Sequence, residues 1–235
     1  MMKGDQGMPI RLQGTPIVPV CVVLVFMAVF ALPHEVTADE PGWRLIGTEG
    51  PPPRHSPGMV YDSARNVVVM FGGITGRERE GILYGDTWEW DGVEWQQAAG
   101  SGPEGRSRSA MVYDEAAHRI ILFGGRSQDG AALGDTWAWD GKEWTRLDEN
   151  TEFARSRHGM VYHRKRGTIV AHGVSFNGRN EMIEWDGTKW KRIDTAVLSS
   201  RIYYGLVYHE QRNSIIMFGG WDGNNPTAET WEFQF

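Results

Sequence analysis

Four arginines stand at one fixed distance from four tyrosines. Arg54, Arg106, Arg155 and Arg201 each lie seven residues before Tyr61, Tyr113, Tyr162 or Tyr208, and Arg108 and Arg157 follow two residues later in the second and third units. A guanidinium is a planar fork that donates two parallel hydrogen bonds, so a ring of them suits a carboxylate or another anion. These six arginines are the candidate ligand-binding residues. Trp221, just after Gly219-Gly220, joins them as the one tryptophan placed in a loop, where an aromatic face is offered to a ligand. The same spacing supports a competing use. Asp86, Asp135, Glu181 and Glu229 also recur once per unit, and acids so placed would neutralise the arginines. Repetition in every unit suits a scaffold better than a single site.

Other chemistry is sparse. There is no G-x-S-x-G elbow and no phosphate loop. His55, His118, His158, His163, His172 and His209 include no helical pair with a glutamate of the kind a zinc peptidase uses. His158 and His163 fall at opposite ends of one strand, and His172 replaces a core phenylalanine. No metal site and no cofactor is expected. Asp62 and Asp114 recur with the repeat and belong to turns.

The elements that must position these residues are written as a repeat. Met-Val-Tyr-Asp at 59–62 returns as Met-Val-Tyr-Asp at 111–114, Met-Val-Tyr-His at 160–163 and Leu-Val-Tyr-His at 206–209. Ten residues after each tyrosine stands Phe71, Phe123, His172 or Phe218, followed by a glycine. Asp-Thr-Trp-Glu-Trp-Asp-Gly, Asp-Thr-Trp-Ala-Trp-Asp-Gly, Glu-Met-Ile-Glu-Trp-Asp-Gly and Glu-Thr-Trp-Glu-Phe-Gln-Phe come next, and Trp95, Trp144 and Trp190 sit five residues after Trp90, Trp139 and Trp185. Successive tyrosines are 52, 49 and 46 residues apart, a period near that of a propeller blade. Each unit reads as four short strands. Asp-Gly between the third and fourth favours a tight two-residue hairpin. Second strands such as Val67 to Phe71 are apolar on both faces, as a sheet sandwiched between neighbours must be.

These motifs resemble the kelch repeat, the blade of kelch and galactose-oxidase-type β-propellers, over essentially all of 43–235. The resemblance implies an all-β fold, a kelch-like β-propeller of four four-stranded antiparallel blades. In kelch-like domains that bind acidic peptides, arginines near the axial mouth do the binding. The third unit departs most, with His172-Gly173-Val174 for Phe-Gly-Gly and Met182-Ile183 for Thr-Trp. Galactose oxidase joins copper to a cysteine-crosslinked tyrosine. Here the single cysteine is Cys21, ahead of the repeats, so that cofactor has no counterpart.

Trp43 aligns with Trp95, Trp144 and Trp190, while Phe235 aligns with Gly92. The strand from Trp43 to Ile46 is therefore expected to complete the last blade and to hide two strand edges. Assembly of the units with another chain into a larger ring is the alternative. Strand parity puts the tight turns on one side of the sheets and the longer segments, including 74–85 with Arg77 and Arg79 and Trp221 to Pro226, on the other.

Composition narrows the partners. The 235 residues hold 24 Lys and Arg against 30 Asp and Glu, a net charge of −6 that argues against a nucleic-acid partner or an anionic membrane. Residues 17–32 are apolar apart from Pro19, follow Lys3 and Arg11, and precede Val36-Thr37-Ala38. At 16 residues the run is short for a bilayer span of about 20, so 1–38 reads as a removable secretory signal and 39–235 as the propeller. An uncleaved membrane tether is the alternative. The expected protein is secreted or periplasmic, with no membrane contact after cleavage. It is a binding module for an acidic protein segment or an anionic glycan at the longer-loop face, and self-association stays open. The alternative is a carbohydrate-active enzyme resembling the sialic-acid mutarotase and epimerase branch of kelch-like proteins.

Overall fold

The computed structural model describes residues 42–77, 80–99, 101–195 and 200–235. The expected signal segment and Arg79 lie outside them. The chain forms two compact units, Met1–Ile46 and Gly47–Phe235. Of the first, residues 42–46 carry no regular structure, and Trp43, Leu45 and Ile46 are exposed.

The second unit is built from four antiparallel sheets, each a simple meander. Sheet 1 contains β1 (Gly58–Asp62), β2 (Val67–Phe71), β3 (Thr87–Trp90) and β4 (Trp95–Ala99). Sheet 2 contains β5 (Ala110–Asp114), β6 (Arg119–Arg126), β7 (Ala132–Trp139) and β8 (Trp144–Asp148). Sheet 3 contains β9 (Gly159–His163), β10 (Thr168–Val174), β11 (Asn180–Trp185) and β12 (Trp190–Ile193). Sheet 4 contains only β13 (Gly205–His209), β14 (Ser214–Phe218) and β15 (Thr230–Gln234). The expected four strands per sheet hold for three sheets. The last has three. Among the described residues β1 packs beside β5, β5 beside β9 and β9 beside β13, while β13 and β1 do not touch.

The second strands are buried on both faces because each sheet is a filling between its neighbours. Val69 and Phe71 pack against Tyr113, Ile120 and Leu122 of the next sheet, and Ile121 and Phe123 against Ile169 and Ala171. Tryptophans knit the junctions and find partners for their N–H groups, as buried indoles require. Trp144 Nε1 donates to Thr87 Oγ1 at 2.8 Å, Trp190 Nε1 to Thr136 Oγ1 at 2.9 Å and Trp139 Nε1 to Glu89 Oε1 at 2.8 Å. Trp185, which repeats Trp139, has no hydrogen-bond partner for Nε1 because Ala138 stands where Glu89 stood.

Turn chemistry follows the repeat with one difference. Trp90 pairs with Trp95, so the loop is four residues, 91–94, not two. Asp91 Oδ1 accepts the N–H groups of Val93 and Glu94, a side-chain turn that displaces the tight Asp-Gly geometry. Asp62 and Asp114 cap the turns after the first strands in the same way, accepting the N–H groups of Ala64 and Arg65 or of Ala116 and Ala117.

Candidate functional site

Each repeat arginine is a rivet of its own sheet. Arg54 donates from Nη1 and Nη2 to Asp86 at 2.6 and 2.9 Å, from Nη1 to the Gly72 carbonyl at 3.0 Å and from Nε to the Pro52 carbonyl at 3.1 Å. Arg106 repeats the set on Asp135 at 2.5 and 2.7 Å, on Gly124 and on Glu104. Arg155 reaches Glu181 Oε1 at 3.0 Å with the Gly173 and Phe153 carbonyls, and Arg201 reaches Glu229 Oε2 at 2.8 Å with the Gly219 carbonyl. Burial works against the Asp135 charge, but the Arg106 hydrogen bonds and charge, with the Trp137 indole, hold its carboxyl below the usual range. Burial likewise pushes Arg155 down to about 10, opposed by Glu181.

The double glycine explains how these rivets join neighbouring sheets. Gly73 N–H donates to the Arg106 carbonyl at 2.9 Å, and Gly125 N–H to the Arg155 carbonyl at 2.9 Å. At Gly72, φ is 71° and a Cβ would lie 2.5 Å from the same Arg106 carbonyl oxygen, so only glycine lets the next sheet approach. Thus Arg106, Arg155 and Arg201 are buried, the Arg54 side chain is nearly so, and all four are paired with acids, which leaves the residues two positions later to be considered.

Those residues are Ser56, Arg108, Arg157 and Tyr203. All four take left-handed backbone, with φ of 56°, 57°, 58° and 60°. Such conformations are uncommon for residues other than glycine and persist only where surroundings impose them. Three of them support one another: Arg108 N–H donates to the Ser56 carbonyl at 3.0 Å, and Arg157 N–H to the Arg108 carbonyl at 3.1 Å. The starts of three inner strands are thereby linked in an arc, with two guanidinium side chains on adjacent steps. Burial lowers the Arg108 pKa, and the charge of Arg157 and then that of Arg126 add to the effect. Arg157 lies 5.6 Å over the exposed Tyr203 ring. Sequence reasoning named Arg108 and Arg157 but missed Arg126 and Tyr203. Tyr203 carried a usable signal, since it holds the Arg108 position in the fourth unit.

Trp221 is partly exposed and bridges Ile202 through two backbone hydrogen bonds of 3.0 and 2.8 Å. His172 is buried, with Nδ1 3.1 Å from the Tyr204 hydroxyl. That hydroxyl donates to the His172 carbonyl and accepts the Gly159 N–H at 3.1 Å, so Nδ1 is the protonated ring nitrogen. His158 has both ring nitrogens buried without partners and lies edge-on to Phe123. Among the described residues no cluster of three or more His, Cys, Asp or Glu could hold a metal ion, and no helix is long and apolar enough to cross a membrane.

A cavity of about 370 Å³ lies elsewhere, between sheets 3 and 4, lined by His172, Met182, Ile215, Met217, Trp231 and Phe233 among others. Its two carboxylates are engaged: Glu181 with Arg155 and Arg192, and Glu232 with Arg212 and Ser214.

No family model matches the chain. No curated protein matches it. Among solved structures, that of YjhT is similar, with a TM-score of 0.59 over 79% of this chain and 68% of its own, at 14% identity. This likeness concerns the fold alone. Together with the four sheets it fits a kelch-type β-propeller at a coarse level.

Proposed function

We propose that the chain is an exported binding module that seats a carboxylate-bearing ligand at the mouth between Arg108 and Arg157. One observation carries the reading: Arg108 and Arg157 take left-handed backbone at the starts of adjacent inner strands and are joined there by the Arg157 N–H to the Arg108 carbonyl at 3.1 Å. An anion between two guanidinium forks converts their mutual repulsion into attraction to a shared partner. Tyr203 adds an exposed aromatic beside them, and Trp221 extends the surface. The carboxylate is the chemistry common to an acidic peptide and an anionic glycan. Binding is preferred to catalysis because the cavity carboxylates are held by arginines. The apolar run at 17–32 followed by Val36-Thr37-Ala38 supports export.

The test uses an aspartate-rich peptide and a sialylated oligosaccharide as probes. The double variant Arg108→Ala/Arg157→Ala is expected to bind the recognised probe at least tenfold more weakly, since hydrogen bonds to charged groups contribute about 1.5–3 kcal/mol each. Wild-type affinity should also fall as salt rises from about 0.1 M to 1 M, where the screening length shrinks from about 10 Å to about 3 Å. Unchanged affinity in the double variant rejects this site.

A further inference from the structure

The junctions between sheets share one construction. At the first, the Trp144 ring of β8 lies 5.2 Å from Phe71 and donates to Thr87. At the second, the Trp190 ring of β12 lies 4.4 Å from Phe123 and donates to Thr136. By repeat position, His172 and Met182 are the corresponding residues of sheet 3. Both line the 370 Å³ cavity. The cavity is therefore the third indole slot, beside the sheet that has only three strands. Its size is ample for a ring, since a cavity of about 150 Å³ already admits benzene.

Two apolar faces are open in the same molecule. On sheet 1, Met59 is 58% and Tyr61 50% exposed, whereas the equivalent Met111 and Tyr113, Met160 and Tyr162, and Leu206 and Tyr208 pack onto the preceding sheet. On sheet 4, Val207 is 57% exposed, whereas the equivalent Val60, Val112 and Val161 pack onto the following sheet. The two faces are thus the separate halves of a junction that the chain already makes three times.

Chain connectivity says which strand belongs in the slot. Trp95, Trp144 and Trp190 each lie eleven residues before the arginine that opens the next sheet, and Trp43 lies eleven residues before Arg54. A strand containing Trp43 must accordingly belong to the sheet that precedes sheet 1. In one chain that neighbour is missing, since β13 and β1 do not touch. We infer that copies of the protein associate head to tail: sheet 4 of one copy takes the Trp43 segment of a second as its fourth strand, the indole fills the cavity, and the second copy's Met59 and Tyr61 cover Val207. Done reciprocally by two copies, the exchange leaves no open face and no unpaired β15 edge.

Light scattering on the purified protein is expected to give at least twice the mass of one chain. Met59→Glu damages the face that docks and Val207→Glu the face that receives, so each variant alone should be monomeric with an unchanged circular dichroism spectrum. Mixed one to one, they should regain a complex of twice the monomer mass, because a sound sheet 4 then meets a sound sheet 1. Trp43→Ala should also lower the associated fraction at least tenfold at fixed concentration. A monomeric wild type, from closure within one chain or from none, overturns the inference. So does a mixture that stays monomeric, or association that survives Met59→Glu.

Discussion

Arg106→Ala is expected to cost about 3–5 kcal/mol of folding stability, the range for removing one partner of a buried ion pair. Arg106 is fully buried, and its fork meets both oxygens of Asp135 at 2.5 and 2.7 Å. Truncation leaves the Asp135 carboxylate without its cation, held by the Trp137 indole at 2.7 Å and its own backbone N–H, and it frees the Gly124 carbonyl. The backbone oxygen that accepts from Gly73 survives the change, so sheets 1 and 2 keep that link. The loss should therefore be electrostatic, and Arg106→Met/Asp135→Leu should recover much of it. Arg201→Ala should cost less, because its partner Glu229 has a side chain 54% exposed that water can solvate. Urea unfolding of the three variants checks the order. A loss below about 1 kcal/mol for Arg106→Ala would contradict the rivet role.

Acid should destabilise the fold well before its carboxylates protonate. Burial first, and then the charge of Arg155, push His158 down to about 3 and His172 down to about 4, with Arg201 contributing at His172. The unfolded chain binds protons at these histidines below about pH 6.5, whereas the folded chain does not, so unfolding takes up protons and stability falls with pH. The window opens near pH 6.5 and closes at about 4 for His172 and about 3 for His158. At pH 5 each histidine has removed about 2 kcal/mol, since one pH unit corresponds to about 1.4 kcal/mol for one proton. His172→Phe places the repeat's own residue at that position and leaves Tyr204 its bond to the residue 172 carbonyl. It should lower the slope of stability between pH 6 and 5 by between about a third and a half, because His158 and His163, both held down by burial, keep their share. A melting temperature flat from pH 7 to 5 in the wild type would refute the assignment. Asp86, Asp135 and Glu184, all held below their usual range, act in the same direction at lower pH, where their stabilisation is lost.

Anion binding is tested at Arg108 and Arg157, not at Arg106 and Arg155. Arg106 and Arg155 stand at the spacing a ligand ring would use, but changing them would destabilise the fold whether or not a ligand is recognised. Arg108 and Arg157, two residues on, lie on the linked left-handed arc just ahead of β5 and β9.

Some features were legible because they repeat. Four units, their strand order, the capping aspartates and the double glycine all follow from local rules applied several times, and agreement among copies suppresses error. The compensating pair Tyr204 and His172 was also written there, as departures from the repeat in neighbouring units that meet in space. The partnerless indole of Trp185 follows from Ala138 in the same way.

Periodicity determined the all-β architecture, the apolar faces and the presence of one arginine and one acid per unit, since each depends on residues close along the chain. Whether that arginine serves a ligand or the scaffold depended on burial, which is a property of what packs around it. Closure of the last sheet was decided in the same way. A period near 50 residues describes one sheet and its connection to the next, but how far four sheets curve is set by side-chain volumes at their junctions, and here the curve ends with β13 and β1 apart.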